Sequence, residues 1–214
     1  MVARILVAFA LAQEGLSFER KLARREGKRG LTRGYLGAHE IAVLWLGIGV
    51  QEKGGFQRAV REQKSEIVIN SGFAGGVRTL LEPGDFVLAK NFSSPELSNR
   101  LGKSDIFTAK GSFAPVTSVA DPSTKARLNS KGNIVALDME SAQVAAFCDE
   151  LAVFHVSAKM ISDRYDERIP EIFLGQRTRS LKDISQAICF ASRMLVLREK
   201  LANRLVDLIS VIGE

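Results

Sequence analysis

A chain of 214 residues with 46% hydrophobic and 25% charged residues has ample apolar material for one large core, which excludes an intrinsically disordered polymer. The formal charge of +6 draws attention to Arg20, Lys21, Arg24, Arg25, Lys28, Arg29 and Arg33. Glu19 and Glu26 interrupt that stretch and no aromatic residue interleaves for base stacking, so it reads as a solvated charged face rather than a nucleic-acid groove. No segment approaches the roughly 20 consecutive apolar residues of a membrane span.

The first apolar run follows Arg4 and ends in small residues, the outline of a short signal peptide, but it reads better as a buried strand from Ile5 to Ala10. Further short apolar runs predict strands at Ile41 to Leu46, Ile67 to Asn70, Phe86 to Ala89, Asp105 to Thr108, Ile134 to Leu137 and Val153 to Met160. Helical spacing predicts helices over Glu14 to Arg25, Gln51 to Gln63, Pro122 to Ser130 and Glu140 to Leu151. Asn91 to Lys103, with its Ser, Asn, Pro and Gly, reads as a long surface loop. A last helix starts near Ser180, and Leu181, Ile184, Ile188, Ala191 and Leu195, continued by Leu201, Leu205, Leu208 and Ile212, form a stripe expected to pack on the sheet. Strands alternating with helices predict an α/β fold, a central mixed sheet flanked by helices in three layers, with residues 1–214 forming a single domain. Cys148 and Cys189 sit in apolar helical contexts with no metal-ligand spacing to His39 or His155. They read as inert core thiols in a reduced cytoplasm.

Three acids stand where open α/β sheets place their ligands, just beyond a strand or at a helix start: Glu14, Glu140 and Asp163. Each alone reads better as an acid offsetting a helix dipole; together they point to a site. Gly47-Ile-Gly49 and Gly72-Phe-Ala-Gly-Gly76 let backbone approach a ligand closely. Neither is followed by Gly-Lys-Ser/Thr and neither has dinucleotide-fingerprint spacing, so ATP and nicotinamide readings lack support.

Five segments in order then resemble one family, the purine nucleoside phosphorylase and methylthioadenosine/S-adenosylhomocysteine nucleosidase superfamily. They are Ile5-Leu-Val-Ala with Glu14 close behind, Gly47-Ile-Gly49, Asn70-Ser-Gly-Phe-Ala-Gly-Gly76 leading to Pro83-Gly-Asp85, Asp138-Met-Glu-Ser-Ala142, and Ile161-Ser-Asp163. The resemblance implies that Asp163 protonates or hydrogen-bonds purine N7, that Glu140 grips the ribose hydroxyls, and that Glu14 is the base that takes a proton from water. A carboxyl group kept protonated near neutral pH, by burial or by the substrate, would make Asp163 a general acid. The resemblance also implies that Met139 packs against the sugar, and that Ser162, Phe73, Ala74, Gly75 and Val119 line the substrate. No metal and no organic cofactor is implied. The expected partners are a small nucleoside and further copies of the chain, as a homodimer or higher homo-oligomer, with neither nucleic acid nor membrane.

Water is favoured over phosphate as nucleophile. Asn70 stands where a phosphate-holding Arg would precede Ser71-Gly72, and Gln13 to Phe18 lacks the Gly-Asp-Pro turn of phosphorylases. An uncompensated phosphate dianion is costly to desolvate. Phosphorolysis stays open as the alternative if one arginine between Arg20 and Arg33 swings into the site, and a catalytically silent nucleoside binder is a third reading. Two departures separate the chain from methylthioadenosine nucleosidases: Phe73 replaces a small polar residue, and Lys159 replaces the usual Arg. Val116 to Val119 are the nearest counterparts of a missing Phe-Ile pair at the base, and Asp163 itself resembles the adenine-specific members.

Overall fold

The computed structural model describes residues 2–28, 30–47, 53–174 and 181–213. Strand β1 (Arg4–Phe9) lies inside a ten-stranded mixed sheet, parallel to β4 (His39–Trp45) on one side and β5 (Ile67–Ser71) on the other. Its near-continuous apolar sequence suits a strand covered on both faces. Ile5, Val7 and Phe9 face a layer built from α1 (Ala12–Glu19), α3 (Pro95–Leu101) and α6 (Leu181–Gly213). Leu6 and Ala8 face α2 (Lys53–Glu62) and α5 (Ser141–Glu150). The period-two alternation of the strand thus creates the three layers.

The second half of the sheet curls. Strand β10 (Phe154–Asp163) pairs with β5, then with β6 (Phe73–Gly76) in parallel, and with β7 (Phe86–Ala89) antiparallel. Between β6 and β7 lie β9 (Ile134–Asp138) and β8 (Ala109–Pro115), so five strands close on themselves around Val87, Ala89, Phe113, Ala136 and Ile161. Helix α4 (Pro122–Asn129) is anchored beside this half, with Pro122 in its first turn and Asp121 capping it by accepting from the Thr124 amide at 2.8 Å.

Several expectations are corrected. The helix expected over Glu14 to Arg25 ends at Glu19, because Leu22 turns back into the core and the following charged residues form the hairpin β2 (Ala23–Lys28) and β3 (Leu31–Leu36) at the sheet edge. Edge strands tolerate charges on both faces, which hides their period in the sequence. The expected strand at Asp105 to Thr108 is irregular: Phe107 is buried and stacked on Phe86, but ladder pairing begins only at Ala109. The expected loop Asn91 to Lys103 contains α3, whose Leu97 and Leu101, one turn apart, enter the core.

The stripe of the last helix divides in two. Leu201, Leu205, Leu208 and Ile212 are buried, whereas Ile184, Ile188 and Leu195 are exposed, because the first half of the helix turns a different face inward, that of Ala187, Phe190 and Leu197. Cys148 is a core thiol whose pKa burial pushes up to about 12; Cys189, on the outer face of α6, is exposed and so is not one. No helix among the described residues is long and apolar enough to cross a membrane.

Candidate active site

Parallel strands deliver their carboxyl ends to one edge of the sheet, and the loops that follow β1, β5 and β9 meet the end of β10 there around a cavity of about 480 Å³. Glu14, Phe73, Ala74, Gly75, Val119, Met139, Glu140, Ser162 and Asp163 all line it. Of the Gly47-Ile-Gly49 segment, Ile48 and Gly49 lie outside the described residues.

Glu14 sits in the first turn of α1, where its Oε2 accepts from the Leu11 amide at 3.0 Å. Gly72, at φ +122°, makes room for it: a Cβ there would lie 2.8 Å from Glu14 Oε2. Burial raises the Glu14 pKa above the ordinary glutamate value; the Lys159 ammonium and the Leu11 and Phe73 amides oppose the rise, and the Glu140 carboxylate adds to it.

Beneath Glu14 lies an ionic cluster that the three-acid reading did not include. The Lys159 side chain, 1% exposed, places Nζ 3.3 Å from Asp138 and 3.6 Å from Glu140, and donates to the Ser71 carbonyl at 3.0 Å. Burial acts to strip its proton, but the carboxylates of Asp138, Glu140 and Glu14 outweigh burial and raise its pKa above the ordinary lysine value. Asp138 also accepts from the Ser141 hydroxyl at 2.5 Å and its amide at 3.2 Å, and Asn70 Nδ2 donates to the hydroxyls of Ser141 and Ser157 at 2.9 and 3.1 Å. Three carboxylates therefore converge on one ammonium, leaving the cluster net negative.

Asp163 ends β10, buried in the cavity wall, with both oxygens engaged. Ser162 donates to Oδ1 at 2.5 Å, and the ammonium of Lys125 donates to Oδ2 in a pair whose side chains are 1% and 2% exposed. Lys125 also donates to the carbonyls of Arg164 at 2.6 Å and Glu167 at 3.2 Å, so all its protons are directed. Asp163 therefore shares its place with the Lys125 ammonium, a neighbour that the reading of Asp163 as an acid did not include. Gly75 leaves space beside the pair, its virtual Cβ lying 3.5 Å from both Asp163 Oδ2 and Lys125 Cε. Nothing in the sequence marks Lys125, one lysine in a polar helix, as buried against Asp163.

Of the arginines considered for phosphate, none of the described ones lines this cavity, and Arg29 lies outside the described residues. Arg24 and Arg33 line a separate concavity with Arg4 and Ser65, at the amino ends of β1 and β5, across the sheet from Glu14. The wall that sequence reasoning missed comes from α6 and the short turn Glu171–Leu174: Phe173, Phe190, Met194, Leu195 and Arg198 line the cavity. Phe190 packs against Phe173 with ring centroids 5.2 Å apart, and Arg193 forms an ion pair with Glu167.

Residues 7–131 match the model of the Phosphorylase superfamily, more than half of the chain. The chain belongs to this superfamily. Among curated proteins, it is 28% identical over 197 residues to 5'-methylthioadenosine/S-adenosylhomocysteine nucleosidase of Bacillus cereus (strain G9842), with 75% of this chain and 85% of the relative covered. Among solved structures, the nucleosidase of that name from S. pneumoniae, holding a transition-state inhibitor, superposes with a TM-score of 0.77 at 17% identity, covering 98% of this chain and 99% of the other. Futalosine hydrolase of Helicobacter pylori strain 26695 superposes with a TM-score of 0.71 at 18% identity, covering 98% of each chain. The mixed sheet with flanking helices is thus the superfamily's fold.

Proposed function

We propose that this superfamily member is a nucleosidase that hydrolyses the N-glycosidic bond of a purine nucleoside, with 5′-modified adenosines as its substrate class. One observation carries the reading: a single cavity is lined by the buried Lys125–Asp163 pair and by a net negative cluster of Glu14, Asp138 and Glu140 around Lys159. The base lies against Ser162 and Asp163. As the C1′–N9 bond breaks, its electron pair passes to the purine, and N7 takes the proton that the Lys125 ammonium passes through Asp163, leaving Lys125 as the neutral amine. The sugar becomes cationic, and the carboxylates beside it stabilise that charge, Glu140 while accepting from the ribose hydroxyls; the polarisable sulfur of Met139 packs against the ring. Water then attacks C1′ and gives its proton to Glu14, releasing free base and the ribose product.

The same charge distribution disfavours phosphorolysis, because a phosphate dianion entering between Glu14 and Glu140 would meet three carboxylates with one ammonium as compensation. Names among the relatives, methylthioadenosine/S-adenosylhomocysteine nucleosidase and futalosine hydrolase, support a hydrolytic reading with a variable 5′ group. We also propose a homodimer: Leu11, Val119, Phe173, Ile188 and Leu195 leave a large apolar surface exposed around the cavity and along α6. Free base released from methylthioadenosine, inosine and uridine is measured by chromatography with and without phosphate. Adenine release that does not depend on phosphate is expected, and release that strictly requires phosphate overturns the hydrolase reading.

A further inference from the structure

Helix α6 crosses the cavity lengthwise. Phe190 and Arg193 sit near Phe173 and Glu167, on the side of the Lys125–Asp163 pair, while Arg198 reaches α1, where its Nη1 donates to the Gln13 carbonyl at 3.3 Å. At 1.5 Å of rise per residue the two ends are about 12 Å apart. A substrate with its base against Asp163 therefore extends its distal part toward Arg198.

Two cations line the cavity among the described residues, and their circumstances are opposite. Lys125 is committed to Asp163 and two carbonyls. Arg198 has no carboxylate within ion-pairing distance among the described residues: the adjacent Glu199 pairs with Lys21 at 2.6 Å. Its Nε is enclosed and lacks an acceptor. A guanidinium offers five donors in a planar fork suited to a carboxylate, and here one long bond to a carbonyl is made. The wall on either side is apolar, from Leu11, Val119 and Leu195.

We propose that Arg198 is a specificity residue that pairs with a carboxylate at the end of an apolar 5′ substituent, so that acidic 5′-modified nucleosides are the preferred substrates. The inference rests on the nucleosidase reading above.

The test uses non-cleavable adenosine analogues, in which carbon replaces the glycosidic nitrogen, bearing a 5′-carboxyalkylthio, a 5′-alkylthio of equal length, or a 5′-phosphate group. Calorimetry measures their binding to wild type, Arg198→Met and Arg198→Lys. Wild type is expected to bind the acid at least about tenfold more tightly than its neutral isostere, a preference that falls to within about twofold in Arg198→Met and partly returns in Arg198→Lys. Equal affinity for acid and neutral ligands in wild type, or an undiminished preference in Arg198→Met, overturns the assignment while leaving the nucleosidase reading standing. Tighter binding of the 5′-phosphate than of the acid overturns the carboxylate preference, and competition of inorganic phosphate with the acid ligand would assign Arg198 to phosphate instead. Failure of all three analogues to bind wild type sinks both proposals.

Discussion

Replacing Lys125 by Met removes the ammonium that Asp163 faces and leaves a carboxylate enclosed at the end of β10, where the two side chains are 1% and 2% exposed. Methionine fills much of the same volume, so the loss is chiefly electrostatic. Removing one partner of a buried ion pair costs about 3–5 kcal/mol, because the other charge stays desolvated. The donors to the Arg164 and Glu167 carbonyls go with it. For a chain of this size each kcal/mol lowers Tm by about 2–4 °C, so a fall of roughly 6–20 °C at pH 7 is expected. The pH dependence separates charge loss from poor packing. An isolated buried carboxylate takes up a proton more readily, so stability in Lys125→Met is present at low pH and lost as pH rises. Urea unfolding of wild type, Lys125→Met, Asp163→Asn and the double variant at pH 5 and pH 7 measures both effects. The gap between wild type and Lys125→Met should narrow at pH 5, and the double variant should be less damaged than the sum of the single ones. A gap below about 1 kcal/mol that does not change with pH would refute the claim of a buried ionic pair.

Other outcomes follow from the same geometry. Glu14→Gln should reduce base release by about 10²–10⁴-fold, and the acid limb of kcat/KM in wild type should fall at a pH above the ordinary glutamate value, because burial raises the Glu14 pKa. A raised carboxyl pKa means that the ionised form is the destabilised one. Glu14→Gln should therefore raise Tm at pH 7, with no gain below about pH 4, where Glu14 is protonated whether folded or unfolded; an unchanged Tm at pH 7 would count against the burial. Light scattering should give a mass of twice 23.4 kDa for wild type, and Ile188→Glu/Leu195→Glu should shift it toward the single-chain mass; a wild-type monomer rejects the homodimer.

The α/β class was readable because buried central strands leave unbroken apolar runs, as in Ile5 to Phe9 and Ile67 to Ile69, and because Pro122 and the long apolar stripe of α6 mark helices. The hairpin of β2 and β3 was not readable, since its strands are stabilised by pairing with neighbours and Ala23 to Gly27 of β2 are exposed. Phe107 misled for the converse reason: an apolar residue can enter the core from irregular backbone.

Within the cavity, residues at or shortly after strand ends, Glu14, Glu140 and Asp163, were legible from position alone, because strand ends in such a sheet converge. Their electrostatic partners were not. Lys125 lies 38 residues from Asp163, and Lys159 lies 21 from Asp138, and only the curling of the second half of the sheet brings each amine against its carboxylate. Arg198 is more distant still, 185 residues from Gln13, and faces the cavity because α6 packs along α1. Local pattern records which residues a strand or helix buries, since burial follows the element's own period. Which charge meets which depends on how distant elements pack, and that arrangement decided the chemistry of this cavity.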